Sequence, residues 1–404
     1  MKYVLPLNPA EKTALDTGFQ NAFGAAPERY FSAPGRTEIS GNHTDHQRGC
    51  VLAAAVNLHT RAAVRANGTQ RVRIQSQGYP MVEIMLTDLA PMEGEKNTTA
   101  ALVRGVAARF SQLGCQVGGF DAYIESSVLP GSGLSSSAAF EVLLGTVINH
   151  LFYNGKATQP EIAKIGQYAE NVFFGKPCGL MDQMASAVGG MVHIDFADKE
   201  NPVITPLDFD FAKTGYALCI IDSGADHADL TDEYAAIPRE MQAVCRYFGK
   251  EVLREVSEDE FYGNLPALRE ACGDRAVLRA MHIFEENRRV EEQAKALQNG
   301  DFESFLQLVK ASGRSSWLYL QNVLPTGSVK NQAVAVALAL CDKYLQGRGA
   351  YRVHGGGFAG TVQAFVPLDL VEAFRENMEN ALGKGACHVL SVRSQGGVEM
   401  KEKC

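Results

Sequence analysis

The sequence lacks the features that mark several classes of protein. Its nine cysteines are irregularly spaced, and no pair has the Cys-x-x-Cys spacing of zinc ribbons or thioredoxin-like motifs. The longest apolar run, Ala333–Cys341, has nine residues, whereas a membrane-spanning helix needs about 20. Lysine and arginine number 38 against 46 aspartates and glutamates, so a basic face for nucleic acid is not expected.

The overall composition is that of a folded, soluble protein. Hydrophobic residues make up 46% of the chain and charged residues 21%, close to the averages for globular domains. An odd number of cysteines fits reduced thiols better than a disulfide framework. We therefore expect a cytoplasmic protein with no nucleic-acid or membrane partner, and the length of 404 residues predicts two or three domains.

Apolar periodicity alternates between the strand and helix patterns, which predicts an α+β fold. A strand is expected at 120–126, an apolar helix at 136–153, a second helix at 162–174, and two strands at 350–354 and 361–366. A domain boundary is placed near residue 205, which gives an N-terminal domain of residues 1–205 and a C-terminal domain of residues 206–404.

A glycine- and serine-rich segment lies between the predicted strand at 120–126 and the apolar helix that follows it. Gly131 and Gly133 allow tight bending, and Ser135, Ser136 and Ser137 bring hydroxyls to the start of the helix. The unpaired N–H groups and the dipole of a helix N-terminus favour phosphate. The alternative is a plain turn with a serine cap. No Gly-Lys-Ser or Gly-Lys-Thr occurs, so this is not a Walker A loop.

A second glycine run, at residues 354–360, formally matches Gly-x-Gly-x-x-Gly. A dinucleotide-binding fingerprint should open a helix, but residues 361–366 alternate as a strand does. We therefore interpret the run as a tight loop between two strands, close to something bulky, with a plain hairpin loop as the alternative.

Two polar segments complete the set. Arg36, His43, Asp45 and His46 lie within residues 33–46, where a sugar- or polyol-binding loop is favoured over a metal site because a second His-x-His cluster is absent. In the segment 169–183, Asp182 follows a Pro-Cys-Gly turn and is either a helix cap or a catalytic residue.

Taken together and in this order, these segments resemble the GHMP small-molecule kinases, and within them the galactokinases. The resemblance rests on Gly35-Arg36 with His43-Thr44-Asp45, on residues 131–138, on residues 178–183 and on residues 355–358. It implies a ribosomal-protein-S5-like N-terminal domain and a ferredoxin-like C-terminal domain with the active site between them. It also implies phosphorylation of the anomeric hydroxyl of galactose by ATP with Mg²⁺.

Carried over residue by residue, the resemblance implies a role for each motif position. Asp182 matches the catalytic base and Arg36 the cation beside it, while Ser137 and Glu170 match the Mg²⁺ ligands. The positions that match sugar contacts are Asn42, His43, Asp45, Gly179 and Tyr234. Those expected to bind ATP are Gly131, Ser132, Gly133, Leu134, Ser135, Ser136, Ser137, Gly356 and Gly357.

The sequence also departs from the galactokinase pattern. Asn42 stands where Glu is usual, Glu38 where Asn is usual, and His354 where Thr is usual before the last glycine loop. A 1-kinase for a C6-altered hexose, a pentose or an amino sugar is therefore an alternative, as is a non-catalytic galactose and ATP sensor. We expect a monomer or a weak homo-oligomer.

Overall fold

The computed structural model describes residues 5–128, 133–225 and 230–402, and it contains two β-sheets with helices packed against both. The strands in this part of the chain are β1 (Leu5–Leu7), β2 (Arg29–Ser40), β3 (Cys50–Ala66), β4 (Arg71–Ser76), β5 (Val82–Met85), β6 (Phe120–Ser126), β7 (Met191–Asp195), β8 (Val203–Leu207), β9 (Tyr216–Asp222), β10 (Ala350–His354), β11 (Thr361–Pro367), β12 (Cys387–Leu390) and β13 (Val398–Glu402).

The α-helices alternate with these strands in the first half of the chain and dominate the second half. They are α1 (Pro9–Phe23), α2 (Thr99–Gln112), α3 (Ser136–Phe152), α4 (Gln159–Tyr168), α5 (Met181–Val188), α6 (Thr231–Tyr247), α7 (Glu258–Gly263), α8 (Leu265–Cys272), α9 (Asp274–Gln298), α10 (Phe302–Ser315), α11 (Ala333–Leu345) and α12 (Val371–Leu382). Two π-helical turns, Ala169–Phe174 and Ser316–Leu320, directly follow α4 and α10.

The larger sheet is organised around β3. Its strand order is β1-β13-β2-β3-β6-β4-β5, and β7 pairs with β3 and with β8. The first seven residues of β3, 50–56, are Cys, Val, Leu and Ala and are all buried, as expected where a strand is covered on both faces. Apolar side chains of this sheet and of α2 to α5 form one continuous core, so α3 and α5 are held against the sheet beside β2.

The smaller sheet is antiparallel in the order β10-β11-β9-β12. Helices α11 and α12 pack on it through Val334, Ala337, Phe374 and Met378. Hairpin pairing of β10 with β11 runs from Ala350–Phe365 to His354–Thr361, so the second glycine run is the loop between two strands, as its pattern predicts.

The last strand returns to the first sheet. β13 pairs in parallel with β1 and antiparallel with β2. The division of the chain into two domains at residue 205 stays a prediction. The α+β fold class is confirmed. None of the helices in the described residues is both long and apolar enough to cross a membrane.

Candidate active site

An arginine–aspartate pair joins two elements that lie far apart in the sequence. Arg36 lies on β2 and Asp182 in the first turn of α5. Arg36 Nε donates to Asp182 Oδ1 at 2.6 Å, and Nη2 donates to Oδ2 at 2.7 Å. Two parallel charge-assisted bonds fix the plane of the carboxylate. The Asp182 side chain keeps 31% of its surface exposed, so a substrate can still reach it.

Arg36 reaches this position because β2 is irregular. The pairing of β2 with β3 shifts register between Pro34 and Arg36 and again between Glu38 and Ser40. Such bulges bend a strand and redirect its side chains. The Arg36 N–H donates to the Leu134 carbonyl at 3.0 Å. The strand is thereby tied to the glycine- and serine-rich segment that precedes α3.

That segment supplies two further contacts to the pair. Ser135 Oγ donates to Asp182 Oδ2 at 2.6 Å, and Arg36 Nη1 donates to the Gly133 carbonyl at 2.6 Å. Gly133 has φ +72°, and a Cβ there would lie 2.9 Å from Thr361 Oγ1, so only glycine fits. The turn before α3 is therefore enclosed between the Arg36–Asp182 pair and the base of the second glycine loop.

The electrostatics of the site keep Asp182 ionised. Burial opposes its negative charge, but the charge and hydrogen bonds of Arg36, with the hydroxyl of Ser135, outweigh this effect and hold its pKa below the ordinary value. A carboxylate that is ionised at neutral pH and still accessible can accept a proton from a substrate hydroxyl.

The N-terminus of α3 begins directly beside this pair. Ser136 and Ser137 lie in its first turn, where backbone N–H groups have no partner within the helix. The side chain of Leu134 is buried in the core, so only its backbone is available to a ligand. Gly131 and Ser132, also expected to bind ATP, lie outside the described residues. The helix start has the geometry of an anion-binding site.

Glu170 lies in the π-helical turn that follows α4, and turns of this kind are frequent at functional sites. Its side chain is buried. Gln183 Nε2 donates to Glu170 Oε2 and to Glu141 Oε2, each at 2.9 Å. Lys176 Nζ lies 3.8 Å from Glu170 Oε1. One amide group therefore bridges two buried carboxyl groups next to Asp182.

Sequence reasoning missed Glu141 and Gln183. Glu141 is fully buried, and burial followed by the charge of Glu170 raises its pKa well above the ordinary value. Glu141 Oε1 and Gln183 Oε1 have no hydrogen-bond partner among the residues that the structure describes. The available signal was helical spacing, because Glu141 lies four residues after Ser137 and so shares its face of α3.

The residues expected to contact sugar surround the second glycine loop and the Pro-Cys-Gly turn. His43 Nε2 lies 3.3 Å from the Gly356 carbonyl, and Tyr234 Oη donates to the Gly357 carbonyl at 2.8 Å. A Cβ on Gly179 would lie 2.8 Å from Asp45 Oδ2. Burial and then the nearby His46 lower the pKa of His43, so its imidazole is neutral. The structure brings these four positions to one region.

Asn42 differs from those four residues because its side chain makes hydrogen bonds to other residues of the protein. Asn42 Nδ2 donates to Glu38 Oε1 at 3.2 Å and to the Gly355 carbonyl at 2.5 Å, and its Oδ1 accepts from Asn322 Nδ2 at 2.8 Å. The residue is 1% exposed. Asn42 therefore holds the loop of residues 41–49 against the glycine loop and offers no free N–H to a ligand.

A buried network of polar side chains supports the loop of residues 41–49 and the glycine loop of residues 354–360. Arg352 Nη2 donates to Glu38 Oε1 at 2.6 Å, which is the same oxygen that Asn42 contacts. His354 lies between Thr37 and Thr361, with its ring nitrogens 3.0 and 2.8 Å from their hydroxyls. Burial, with the positive charge of Arg36, lowers the pKa of His354 to about 3. The unusual residues at 38, 42 and 354 thus belong to one network.

Two family models match the chain in the regions that build this site. Residues 101–190 match the GHMP kinases N terminal domain, and residues 17–66 match the galactokinase galactose-binding signature. The galactokinase of Lactococcus lactis, solved in complex with galactose, is 26% identical with a TM-score of 0.80, and the match covers 96% of this chain and 99% of that one. The chain thus carries the GHMP kinase and galactokinase signatures and is similar to a galactokinase over nearly its whole length.

More distant kinases share the fold of this galactokinase-type enzyme. The mevalonate kinase of Methanococcus jannaschii is 13% identical with a TM-score of 0.64, and the match covers 90% of this chain and 98% of that one. A D-glycero-D-manno-heptose 1-phosphate kinase from Bacteriodes thetaiotaomicron is 15% identical with a TM-score of 0.61, covering 93% and 100%. At these identities the likeness concerns the fold. The two family models and the similar galactokinase together indicate a sugar kinase, and the GHMP kinase match implies the use of ATP.

Proposed function

We propose that the protein transfers the γ-phosphoryl group of ATP to the anomeric hydroxyl of galactose, giving galactose 1-phosphate and ADP. The contact of Arg36 and Ser135 with Asp182 carries this proposal, because it combines an ionised carboxylate, a cation and a helix N-terminus at one point. Phosphoryl transfer depends mainly on positioning and on charge stabilisation, and these three groups supply both.

Asp182 is the proposed base. It takes the proton of the anomeric hydroxyl while that oxygen forms a bond to the γ-phosphorus, and the bond from phosphorus to the β-phosphate oxygen breaks to release ADP. A positioned base contributes about 10²–10⁴ in rate. The lowered pKa of Asp182 makes it a weak base, which suffices when the transition state is loose and the attacking oxygen carries little charge.

Arg36 is the proposed charge stabiliser. Its two bonds to Asp182 orient the carboxylate, and its third bond, to the Gly133 carbonyl, holds the guanidinium beside the segment that precedes α3. A fixed cation there would offset the charge of the transferring phosphoryl group without reorganising during the reaction.

The triphosphate of ATP is proposed to bind at the start of α3. Gly133, Ser135, Ser136 and Ser137 supply backbone N–H groups and hydroxyls there, and Gly131 and Ser132 continue the same segment. On the opposite side, Gly356 and Gly357 belong to the glycine loop whose flanking Thr361 lies against Gly133. We propose that ATP lies between the two loops.

Ser137 and Glu170 are proposed to hold Mg²⁺. A hydroxyl and a carboxylate are hard oxygen ligands that Mg²⁺ prefers, and Glu170 Oε1 lies 3.8 Å from the exposed Lys176 ammonium. Bound Mg²⁺ would neutralise phosphate charge, while Gln183 holds Glu170 in place.

Galactose is proposed to bind His43, Asp45, Gly179 and Tyr234. Neutral imidazole, carboxylate, backbone and phenol offer the mixture of donors and acceptors that a polyol needs. Because the side-chain N–H groups of Asn42 are taken by Glu38 and Gly355, we propose that Asn42 shapes this pocket indirectly.

ATP consumption by the purified protein tests the substrate directly. With Mg²⁺ and each of galactose, glucose, N-acetylgalactosamine, arabinose and fucose, we expect strong turnover on galactose that disappears in Asp182→Asn. Turnover on another sugar instead would keep the mechanism and replace the substrate. No turnover on any sugar, with ATP still bound, would refute catalysis and favour a sensor.

A further inference from the structure

A cysteine, a histidine and a glutamate meet away from the proposed active site. Cys50 begins β3, His193 lies on the neighbouring strand β7, and Glu291 lies on α9. Cys50 Sγ is 3.4 Å from Glu291 Oε1, and His193 Nε2 is 3.3 Å from the same oxygen. All three atoms lie within 4.8 Å of one another. Three elements distant in the sequence thus direct metal-ligating atoms to one point.

Two of these distances match those between ligands on one tetrahedral ion. Zinc binds cysteine sulfur at about 2.3 Å and histidine nitrogen or carboxylate oxygen at about 2.0 Å, so tetrahedral angles place sulfur and oxygen about 3.5 Å apart and nitrogen and oxygen about 3.3 Å apart. The observed separations are 3.4 and 3.3 Å. A thiolate, an imidazole and a carboxylate form a donor set that suits Zn²⁺ better than Mg²⁺ or Ca²⁺.

The Nε2 atom of His193 makes no hydrogen bond in the described part of the chain. This atom is buried, and a buried polar atom without a partner is costly. An ion pair of protonated His193 with Glu291 is the competing interpretation. In that interpretation the Cys50 thiol, on a residue that is 2% exposed, donates to the same Glu291 oxygen at 3.4 Å. Both interpretations therefore bring the three side chains together, and a metal-binding measurement distinguishes them.

Arg254 lies beside Cys50, and its contacts are compatible with a bound metal ion. Its Nη1 lies 3.3 Å from Cys50 Sγ, and its Nη2 donates to Asp195 Oδ2 at 3.0 Å. The charge of Arg254 is therefore balanced by Asp195. An N–H donor to a ligating sulfur is the kind of outer contact that tunes metal sites, and the Cys50 thiolate with the Glu291 carboxylate would neutralise a divalent ion.

We propose that Cys50, His193 and Glu291 bind one thiophilic divalent transition metal ion, such as Zn²⁺, separate from the proposed Mg²⁺ site. The ion would fasten α9 to β3 and β7. Helix α9 also supports the loop of residues 41–49, because His282 Nε2 lies 3.0 Å from the Asn42 carbonyl and Gly41 N–H donates to Glu286 Oε1 at 3.2 Å. The metal would stabilise the base of that loop without taking part in phosphoryl transfer.

Titration of the metal-stripped full-length protein with Co²⁺, followed by displacement with Zn²⁺, tests the site. We expect one equivalent to bind with the visible bands of tetrahedral cobalt and a sulfur-to-cobalt charge-transfer band in the near ultraviolet. Since outer-shell changes alone cost about 10–100-fold in metal affinity, loss of a ligand in Cys50→Ser should cost at least as much and abolish the charge-transfer band. Zn²⁺ should raise the melting temperature of the wild type but not of this variant.

Two further variants keep the test decisive. His193→Gln leaves the sulfur in place, so it should keep a charge-transfer band but bind Co²⁺ at least about tenfold more weakly. Cys245→Ser alters another buried cysteine, which contacts Gln47, and should bind like the wild type. Absence of a charge-transfer band in the wild type, or equal affinity in Cys245→Ser and His193→Gln, would overturn the proposal.

Discussion

Replacing Gln183 by methionine removes the amide group that bridges the buried carboxyl groups of Glu141 and Glu170 beside the active site. Methionine is unbranched and similar in length, so it fills the space but donates nothing. Two hydrogen bonds of 2.9 Å are lost, to Glu141 Oε2 and Glu170 Oε2. A bond to a charged group contributes about 1.5–3 kcal/mol, and an ordinary one, as to Glu141 with its raised pKa, about 0.5–1.5 kcal/mol. We therefore expect the unfolding free energy to fall by about 2–4.5 kcal/mol.

The loss of unfolding free energy in Gln183→Met should increase with pH. Burial, followed by the charge of Glu170, raises the pKa of Glu141 in the folded protein, and the Gln183 hydrogen bond opposes this rise. A raised carboxyl pKa gives stability that is complete below the unfolded pKa of about 4.3 and declines as pH rises through the folded pKa. Because Gln183→Met raises the pKa of Glu141 further, the gap between variant and wild type should widen as pH increases.

Chemical denaturation across a pH series measures this effect, and Gln293→Met is the matched control. Gln293 is fully buried, but its side-chain nitrogen and oxygen have no hydrogen-bond partner among the described residues. Its replacement should change the unfolding free energy by less than about 1 kcal/mol, since no bond is broken. Equal losses in Gln183→Met and Gln293→Met, or a gap that narrows as pH rises, would refute the bridging role.

Three further predictions concern the site itself. Asp182→Asn should lower kcat by a factor of about 10²–10⁴, while the ATP dissociation constant measured by calorimetry should change less than about threefold. Substantial remaining turnover would contradict the assignment of Asp182 as the base. Arg36→Lys replaces a bidentate contact by a point charge, so the pKa of Asp182 is lowered less than in the wild type. The acid limb of the pH profile of kcat/KM should therefore move to higher pH. An acid limb at the same pH would contradict the proposed role of the Arg36–Asp182 pair. Asn42→Asp sets a carboxylate against the Gly355 carbonyl and Glu38, so the unfolding free energy should fall by about 3–5 kcal/mol, as for an uncompensated buried charge. An unchanged melting temperature would show that this network is not needed.

The sequence predicts the elements whose signals are local. The strand Phe120–Ser126 and the helix beginning at Ser136 lie where apolar periodicity and the serine-rich start indicate. The glycine run of residues 354–360 connects two strands because alternation continues on both sides of it. These features depend on neighbouring residues, which is why the pattern alone identifies them.

Other features depend on contacts between distant residues. The pattern predicts one helix over 162–174, but the α-helix ends at Tyr168 and a π-helical turn places Glu170 against Gln183. Nothing local indicates that β13 pairs with β1 at the other end of the chain. Such pairing follows from tertiary packing.

Sequence reasoning also missed most of the polar side chains that support the site. Glu141 reads as one polar residue within an apolar helix, and its burial with Glu170 becomes visible only when α3, α4 and α5 pack together. The same holds for Asn42, whose amide the sequence assigns to the sugar although Glu38 and Gly355 use it. Burial and pairing of polar groups are properties of the assembled fold.

The position of the new phosphate bond tests the central claim most directly. We would incubate the protein with ATP, Mg²⁺ and galactose, follow the product by phosphorus and proton magnetic resonance, and repeat the experiment with 1-deoxygalactose. The account predicts a phosphate ester at the anomeric carbon, no ATP consumption with 1-deoxygalactose, and loss of product formation in Asp182→Asn. Phosphorylation at another hydroxyl, or turnover of 1-deoxygalactose, would contradict it.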